Sequence, residues 1–295
     1  MRNFELHRPQ SVADAVALLR THDAAKLLAG GQSLLPVMKL DLAEPSDLVS
    51  LARVDGLRDI RAEGDPADTV VIGALATHDA VSTSPLVRRL IPGLAALAGG
   101  IGDAQVRNRG TLGGSLAHAD PAADYPAAVL ALGATIETDR RRIAADDYFT
   151  GLFATALAPD EIITAVHFPV PACCAYAKFP HRASKYAMAG VMVARLAVAS
   201  GVSGDSGVSG VSGASGTAGP PAGAVRAAVT GAGQKAFRLP GLEAALAARF
   251  SPDAASPATL APAVPGELRS DGEASVEYLA HLVTVMARRA IQACR

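Results

Sequence analysis

Two glycine doublets are the residues best suited to chemistry in this chain. One lies in Ala29-Gly30-Gly31-Gln32-Ser33-Leu34-Leu35, the other in Thr111-Leu112-Gly113-Gly114-Ser115-Leu116-Ala117. A diphosphate needs several N–H donors at close range. Glycine lets the backbone approach without a Cβ clash, and a helix N-terminus adds partial positive charge. Gly30 and Gly31 precede a helix that Ser33 can cap. Neither doublet belongs to a G-x-G-x-x-G or G-x-x-x-x-G-K-[ST] motif. Two separate loops of diphosphate size point to a dinucleotide held between two lobes, and away from a Rossmann domain with its single glycine-rich turn. Taken alone, the Gly30-Gly31 doublet also reads as a purely structural turn between strand and helix.

Polar residues cluster beside the second loop: His118, Asp120 and Asp124 follow within ten residues of Gly114. A carboxylate beside a phosphate loop can accept from ribose hydroxyls or a ring N–H. Asp120 before Pro121 reads equally well as a helix cap with proline at the first helical position, and Asp124 as compensation of a helix dipole. Arg107 and Arg109 suit either phosphate or an ordinary surface. His78, His167 and His281 are isolated, so no metal-ligating residue is assigned. Ser115 and His118 lack any surrounding acyl-transfer motif, and Gly231-Ala232-Gly233-Gln234-Lys235 lacks the spacing and hydroxyl of a P-loop. No catalytic residue is assigned.

The elements that must position these loops alternate along the chain. Ser11 with Asp14 three residues on predicts a capped helix through Leu19. Lys26–Ala29 reads as a strand, Ser33 to about Leu40 as a helix, and Asp47–Leu51 as a strand, a compact strand–helix–strand unit. A strand is expected at Thr69–Ile72, a helix from Thr77, and another from Pro85 to about Ala98. Residues 99–103 read as a loop, Thr111–Ala117 as extended chain and Pro121–Leu132 as helix. Ala134–Thr138, Ile162–Phe168 and Val225–Thr230 read as strands. The last helix starts at about Ser275, with Val276, Leu279, Val283, Met286 and Ala290 on one face and Arg288 and Arg289 near its end. Strands and helices mixed from end to end predict an α+β fold. Gly recurs at every third position from 201 to 219, which reads as a flexible insertion rather than collagen.

Composition narrows the function. The chain has 295 residues, half of them hydrophobic, and a net charge of −1, so a large core is available and neither nucleic acid nor an anionic membrane is an expected partner. No apolar run reaches the length of a membrane span, and the N-terminus lacks the apolar segment of a secretory leader. Cys173, Cys174 and Cys294 are the only cysteines, too few for a four-thiolate cluster; they read as buried or incidental thiols in a reducing cytoplasm.

Taken together, "AGGQSLLPVMKL" and "DAQVRNRGTLGGSLAHADPAADYPAAVLAL" closely resemble the two FAD-binding motifs of the molybdenum hydroxylase flavoproteins. These are the medium subunits of enzymes like carbon monoxide dehydrogenase and the FAD domains of xanthine dehydrogenases. "LAPDEIITAVHFP", "AYAKFPHRASKYAMAGVMVA", "AVTGAG" and "SDGEASVEYLAHLVTVMARRAI" extend the resemblance in order, over nearly the whole chain except the Gly/Ser segment. It implies a PCMH-type FAD-binding fold of two α+β subdomains, residues 1–60 and 61–171. A smaller C-terminal α+β domain, 172–295, would follow and carry the insertion at 201–224.

By this resemblance Ala29, Gly30, Gly31, Gln32, Ser33 and Leu34, with Thr111, Gly113, Gly114 and Ser115, would bind the FAD pyrophosphate. Asp124 would supply an acidic contact, Ile101 and Ile163 would lie against apolar parts of the cofactor, and Lys178 and Tyr186 would stand near its isoalloxazine ring. Asp41, Ser115, Lys185 and Leu279 depart from common family residues, and Lys185 would reverse a charge near the flavin edge. The resemblance implies a cytoplasmic electron-transfer subunit that binds FAD. Its partners would be a large subunit with the molybdenum cofactor and a small one with [2Fe–2S] clusters, and its acceptor stays open. A self-sufficient FAD-dependent oxidase or reductase and a cofactor-free scaffold are the alternatives.

Overall fold

The computed structural model describes residues 2–197, 223–261, 268 and 274–294. Most of the expected Gly/Ser insertion at 201–224 lies outside these residues. The chain opens with strand β1 (Glu5–His7) and helix α1 (Val12–Thr21). The Asp14 amide donates to the Ser11 hydroxyl at 3.1 Å, the cap that the sequence predicts. Strand β2 (Ala25–Leu28), helix α2 (Leu34–Lys39) and strand β3 (Asp47–Ser50) follow. The three strands form a parallel sheet in the order β1-β3-β2, and Ala15 and Val16 of α1 pack with Val49 and Leu51 in its core. Ser33 precedes α2 as expected, but its side chain makes no capping bond.

Strands β4 (Ile60–Glu63) and β5 (Thr69–Gly73) begin a second sheet. Five short helices come next: α3 (His78–Thr83), α4 (Pro85–Leu90), α5 (Pro92–Gly99), α6 (Ala104–Arg109) and α7 (Leu112–His118). The single helix expected from Pro85 to Ala98 is thus two. Pro92 brings no N–H, and Ile91 before it leaves the helical region at φ −136°, ψ 63°. Beyond α7 lie α8 (Tyr125–Leu132), β6 (Thr135–Thr138), β7 (Arg142–Ala144), α9 (Ala145–Tyr148), the small hairpin β8 (Phe149–Gly151) and β9 (Ala154–Thr155), and β10 (Ile163–Pro169). The second sheet is antiparallel, in the order β4-β5-β10-β6-β7. All eight residues of α8 are buried in the core that this sheet shares with α3, α4, α5 and α7.

Two expectations around the second glycine loop are corrected. Thr111–Ala117 is not extended: only Thr111 is, at φ −123° and ψ 154°, and its hydroxyl accepts the Gly114 amide at 3.1 Å to start α7. The two glycines therefore sit inside a helix rather than in a loop. The expected helix from Pro121 begins only at Tyr125, because the Asp120 carboxylate closes a turn on the Ala122 amide at 2.8 Å.

The last part of the chain has its own sheet. Strands β11 (Pro171–Pro180), β12 (Ala187–Leu196), β13 (Val225–Thr230) and β14 (Phe237–Arg238) pair antiparallel in that order. Helices α10 (Pro240–Ala248) and α11 (Val276–Ala293) pack on it. Leu279, Val283, Met286 and Ala290 face that core as expected, whereas Val276, in the first turn, is exposed. Because α11 runs on to Ala293, Arg288 is not in its last turn; its Nε donates to the Ala255 carbonyl at 3.1 Å instead.

The reading of three free thiols is corrected as well. Edge strand β11 and the end of α11 bring the Cα atoms of Cys173 and Cys294 to 5.4 Å, and the two sulfurs are bonded. Only Cys174 is free, and burial pushes its thiol up to about 11. A pairing across 121 positions has no local trace in the sequence.

Candidate FAD-binding site

The two glycine segments meet. Gly30, just beyond β2, packs on the backbone of Arg109 and Gly110, just before α7. A Cβ at Gly30 would overlap the Arg109 carbonyl and stand 2.9 Å from the Gly110 Cα. Gly31 takes φ +75°, which a side chain rarely adopts. Gly113 donates its amide to the Ala74 carbonyl at 2.8 Å, and a Cβ there would come within 2.6 Å of the Ala74 Cβ. Gly30 and Gly113 have no room for a Cβ, Gly31 has a positive φ, and Gly114 packs on the Thr111 hydroxyl that caps its helix.

Between the segments opens a cleft of about 750 Å³. Residues 29–34 form one wall and Thr111, Gly113, Gly114 and Ser115 the other; Ile101, Asp124, Ile163 and Tyr186 also line it. Of the residues that the resemblance assigns to the cofactor, only Lys178 stands back from the wall. It joins the site through Asp124, with its Nζ 3.0 Å from one carboxylate oxygen and 3.2 Å from the other. The size falls within the range of cofactor sites, and the Gly30-Gly31 turn, Thr111, Ser115 and Asp124 give its walls polar groups suited to a dinucleotide, so these residues fit FAD.

Asp124 is the electrostatic centre of this wall. It precedes α8 but makes no capping bond; its carboxylate accepts from the Tyr176 hydroxyl at 2.6 Å instead. Burial raises its pKa above the usual carboxylate range, even though the Lys178 ammonium and the Tyr176 hydroxyl both favour the ionised form. The Lys178 ammonium also donates to the carbonyls of Gly100 at 2.8 Å and Lys185 at 3.3 Å. It therefore ties the 99–103 loop to the β11–β12 hairpin. Burial raises the pKa of Tyr186, with the Asp120 and Asp124 charges adding to it, while its contact with Ser33 across the cleft acts in the opposite sense.

Other side chains settle as supports. Arg107 donates to the Ile101 carbonyl at 3.1 Å and so holds the loop beside the cleft. Lys185 sits at φ 65° in the hairpin turn with its Nζ on the Arg182 carbonyl. Sequence reasoning missed Tyr176, which sits two positions before Lys178 on alternating strand β11. It read His78 only as isolated, whereas the ring lies behind Gly110 with Nδ1 buried and without a partner; burial lowers its pKa to about 4. Nor did it bring together His7, His22 and Asp47, three residues far apart in the chain.

The fold and cleft define a two-lobed flavin-binding module followed by a third α+β layer, and comparison with known proteins agrees. Residues 2–171 match the family described as the FAD binding domain in molybdopterin dehydrogenase. The nicotine 6-hydroxylase medium subunit of Paenarthrobacter nicotinovorans is 40% identical over 289 residues, covering 96% of this chain and 94% of its own. The carbon monoxide dehydrogenase medium chain of Afipia carboxidovorans is 37% identical over 298 residues, covering 98% and 96%. Among solved structures, carbon monoxide dehydrogenase from Hydrogenophaga pseudoflava superposes with a TM-score of 0.81 at 35% identity, covering 99% of this chain and 97% of that one. The chain belongs to this family: it is an FAD-binding medium subunit of the molybdenum hydroxylase type, an oxidoreductase component. Among the described residues no helix is long and apolar enough to cross a membrane.

Proposed function

We propose that this chain carries electrons rather than transforming the organic substrate. A large subunit with a molybdenum cofactor would oxidise that substrate, and [2Fe–2S] clusters on a small subunit would relay the electrons to FAD in the cleft described above. From there they would pass to an external acceptor. The observation that carries this reading is the cleft between two close-packed glycine segments, in a chain whose three cysteines cannot themselves ligate such a cluster.

In this reading FAD supplies the exchange between two-electron and one-electron steps, and the protein binds, orients and tunes it. The backbone of residues 29–34 and the hydroxyls of Thr111 and Ser115 would hold the diphosphate, since the amides of residues 112–115 are already bonded within the fold. Asp124, fixed by Tyr176 and Lys178, would accept from the cofactor's polar edge. Ile101 and Ile163 would keep water from its apolar parts, and Tyr186, with Lys178 behind Asp124, would stand near the ring. No side chain need move a proton of the organic substrate. Residues 1–60, 61–171 and 172–295 would act as two clasping subdomains and a docking domain.

The test is reconstitution. The purified chain should take up FAD and show a flavin spectrum, and the bound flavin should be reduced by substrate only when both partner subunits are present. Reduction of the isolated chain by substrate would refute the relay reading. Failure to take up FAD even in the assembled complex would refute the site.

A further inference from the structure

At the start of the first sheet, three side chains outside the lining of the flavin cleft converge on one point. His7 ends β1, Asp47 begins β3, and His22 follows α1. The His7 Nε2 lies 2.6 Å from Asp47 Oδ1, and the His22 Nδ1 lies 3.4 Å from the same oxygen. All three potential donor atoms fall within 4.8 Å of one another, and the two rings are tilted at 41° with centroids 5.1 Å apart. The other carboxylate oxygen is taken by the Ser46 hydroxyl at 2.6 Å, which fixes the orientation of Asp47. Asp47 is buried, while His7 and His22 are partly open to solvent, so there is an entry side.

We infer that His7, His22 and Asp47 form a site for a divalent transition metal, with zinc the best-matched ion. Two imidazole nitrogens and one carboxylate are a borderline donor set that suits zinc and disfavours magnesium or calcium, which prefer oxygen alone. Donors about 2.0–2.1 Å from a tetrahedral zinc lie roughly 3.3 Å apart. The His22–Asp47 separation already meets this, and the His7–Asp47 contact must open by roughly 0.7 Å. His7 frees its Nε2 lone pair by moving that proton to Nδ1, and water completes the shell on the open side. Ser46 then acts as the outer partner that orients the carboxylate.

The role is structural. Strand β1 has only three residues and sits at the edge of its sheet, held by pairing to β3 alone. A metal here would clamp it to β3 and to the end of α1. Strand β2 starts at Ala25, close to this cluster, and runs to the first glycine segment, so the clamp would brace the strand that delivers Gly30.

The test uses the full FAD-loaded chain, stripped with a chelator and then dialysed against zinc alone. The wild type is expected to retain one zinc per chain and to melt at a higher temperature with zinc than without it. His22→Ala removes a partly exposed ligand. His7→Gln keeps a donor for Asp47, so the fold survives, as an unchanged flavin spectrum would verify. Each variant should bind zinc more than about 100-fold more weakly and lose the thermal shift, since loss of a ligand exceeds the 10–100-fold effect of losing an outer partner. No retained zinc in the wild type, or retention unchanged in both variants, would overturn the inference. Because the readout is metal content, a failure here is separate from any failure of FAD binding.

Discussion

Replacing Gly30 with alanine tests the central claim about the cleft. The new Cβ would stand 2.8 Å from the Arg109 carbonyl carbon, 2.9 Å from the Gly110 Cα, and closer still to the Arg109 oxygen. All three neighbours are backbone, so no side chain can swing aside. Carbon contacts are most favourable at about 3.5–4.0 Å, so the two glycine segments must part by roughly 0.7–1 Å. The Gly110 segment resists this, because its amide donates to Val106 at 2.7 Å and its carbonyl accepts the His78 amide at 2.9 Å. Overpacking of this kind costs about 1–3 kcal/mol, enough to lower the melting temperature by a few degrees.

The cofactor should register the same displacement. A charge-assisted hydrogen bond contributes about 1.5–3 kcal/mol, so misplacing a single phosphate donor weakens FAD binding by about 10- to 100-fold. Gly99→Ala is the matched control: its Cβ would meet only the Ser82 Cβ at 3.7 Å, an ordinary contact at the end of α5. That variant should bind FAD normally and match or slightly exceed wild-type stability. Flavin fluorescence quenching during titration of the deflavinated chain, paired with thermal melts, measures both effects. Gly30→Ala with FAD affinity within about twofold of wild type and an unchanged melting temperature would refute the reasoning. Lost stability with intact affinity would leave the packing argument standing and sink the cofactor role of this segment.

Asp124→Asn should destabilise the chain by about 3 kcal/mol in urea titrations, because it leaves the Lys178 ammonium, only 11% exposed, without its counter-charge; Tyr176→Phe should cost less, about 1.5 kcal/mol. His78 stays neutral in the fold, with a pKa of about 4 against 6.5 for the free side chain, so the unfolded state binds the extra proton between those values. Stability should therefore fall on acidification from pH 6.5 to 4, by about 3 kcal/mol across the window, and His78→Gln should flatten that slope. A denatured but unreduced sample should show one titratable thiol and a reduced one three; three without reductant would refute the Cys173–Cys294 pairing.

What was legible in the sequence is what short-range physics decides. The Ser11 cap, strand β13 and helix α11 each announce themselves by residues a few positions apart. Helix α8 gave no face to read, since all eight of its residues are buried, and it was found from composition alone. The long strands β11 and β12 were given no bounds from the sequence. The site shows the same division. Its glycines and Asp124 could be named in advance, but the partner that fixes Asp124 is 52 positions away, and the histidine pair around Asp47 spans as much as 40.

Glycine misleads in a particular way. In a sequence, Gly113-Gly114 reads as a break in regular structure, because glycine lowers helix propensity by about 1 kcal/mol. Here the helix forms anyway: Thr111 caps it, and the space at Gly113 is filled by Ala74, 2.6 Å from where a Cβ would sit. What selects glycine at that position is the absence of room, a property of strand β5 and the turn after it. A local propensity scale cannot register a neighbour 39 residues upstream. The second doublet is thus held rigid in the cleft wall by the same contact that hides its helix from the sequence.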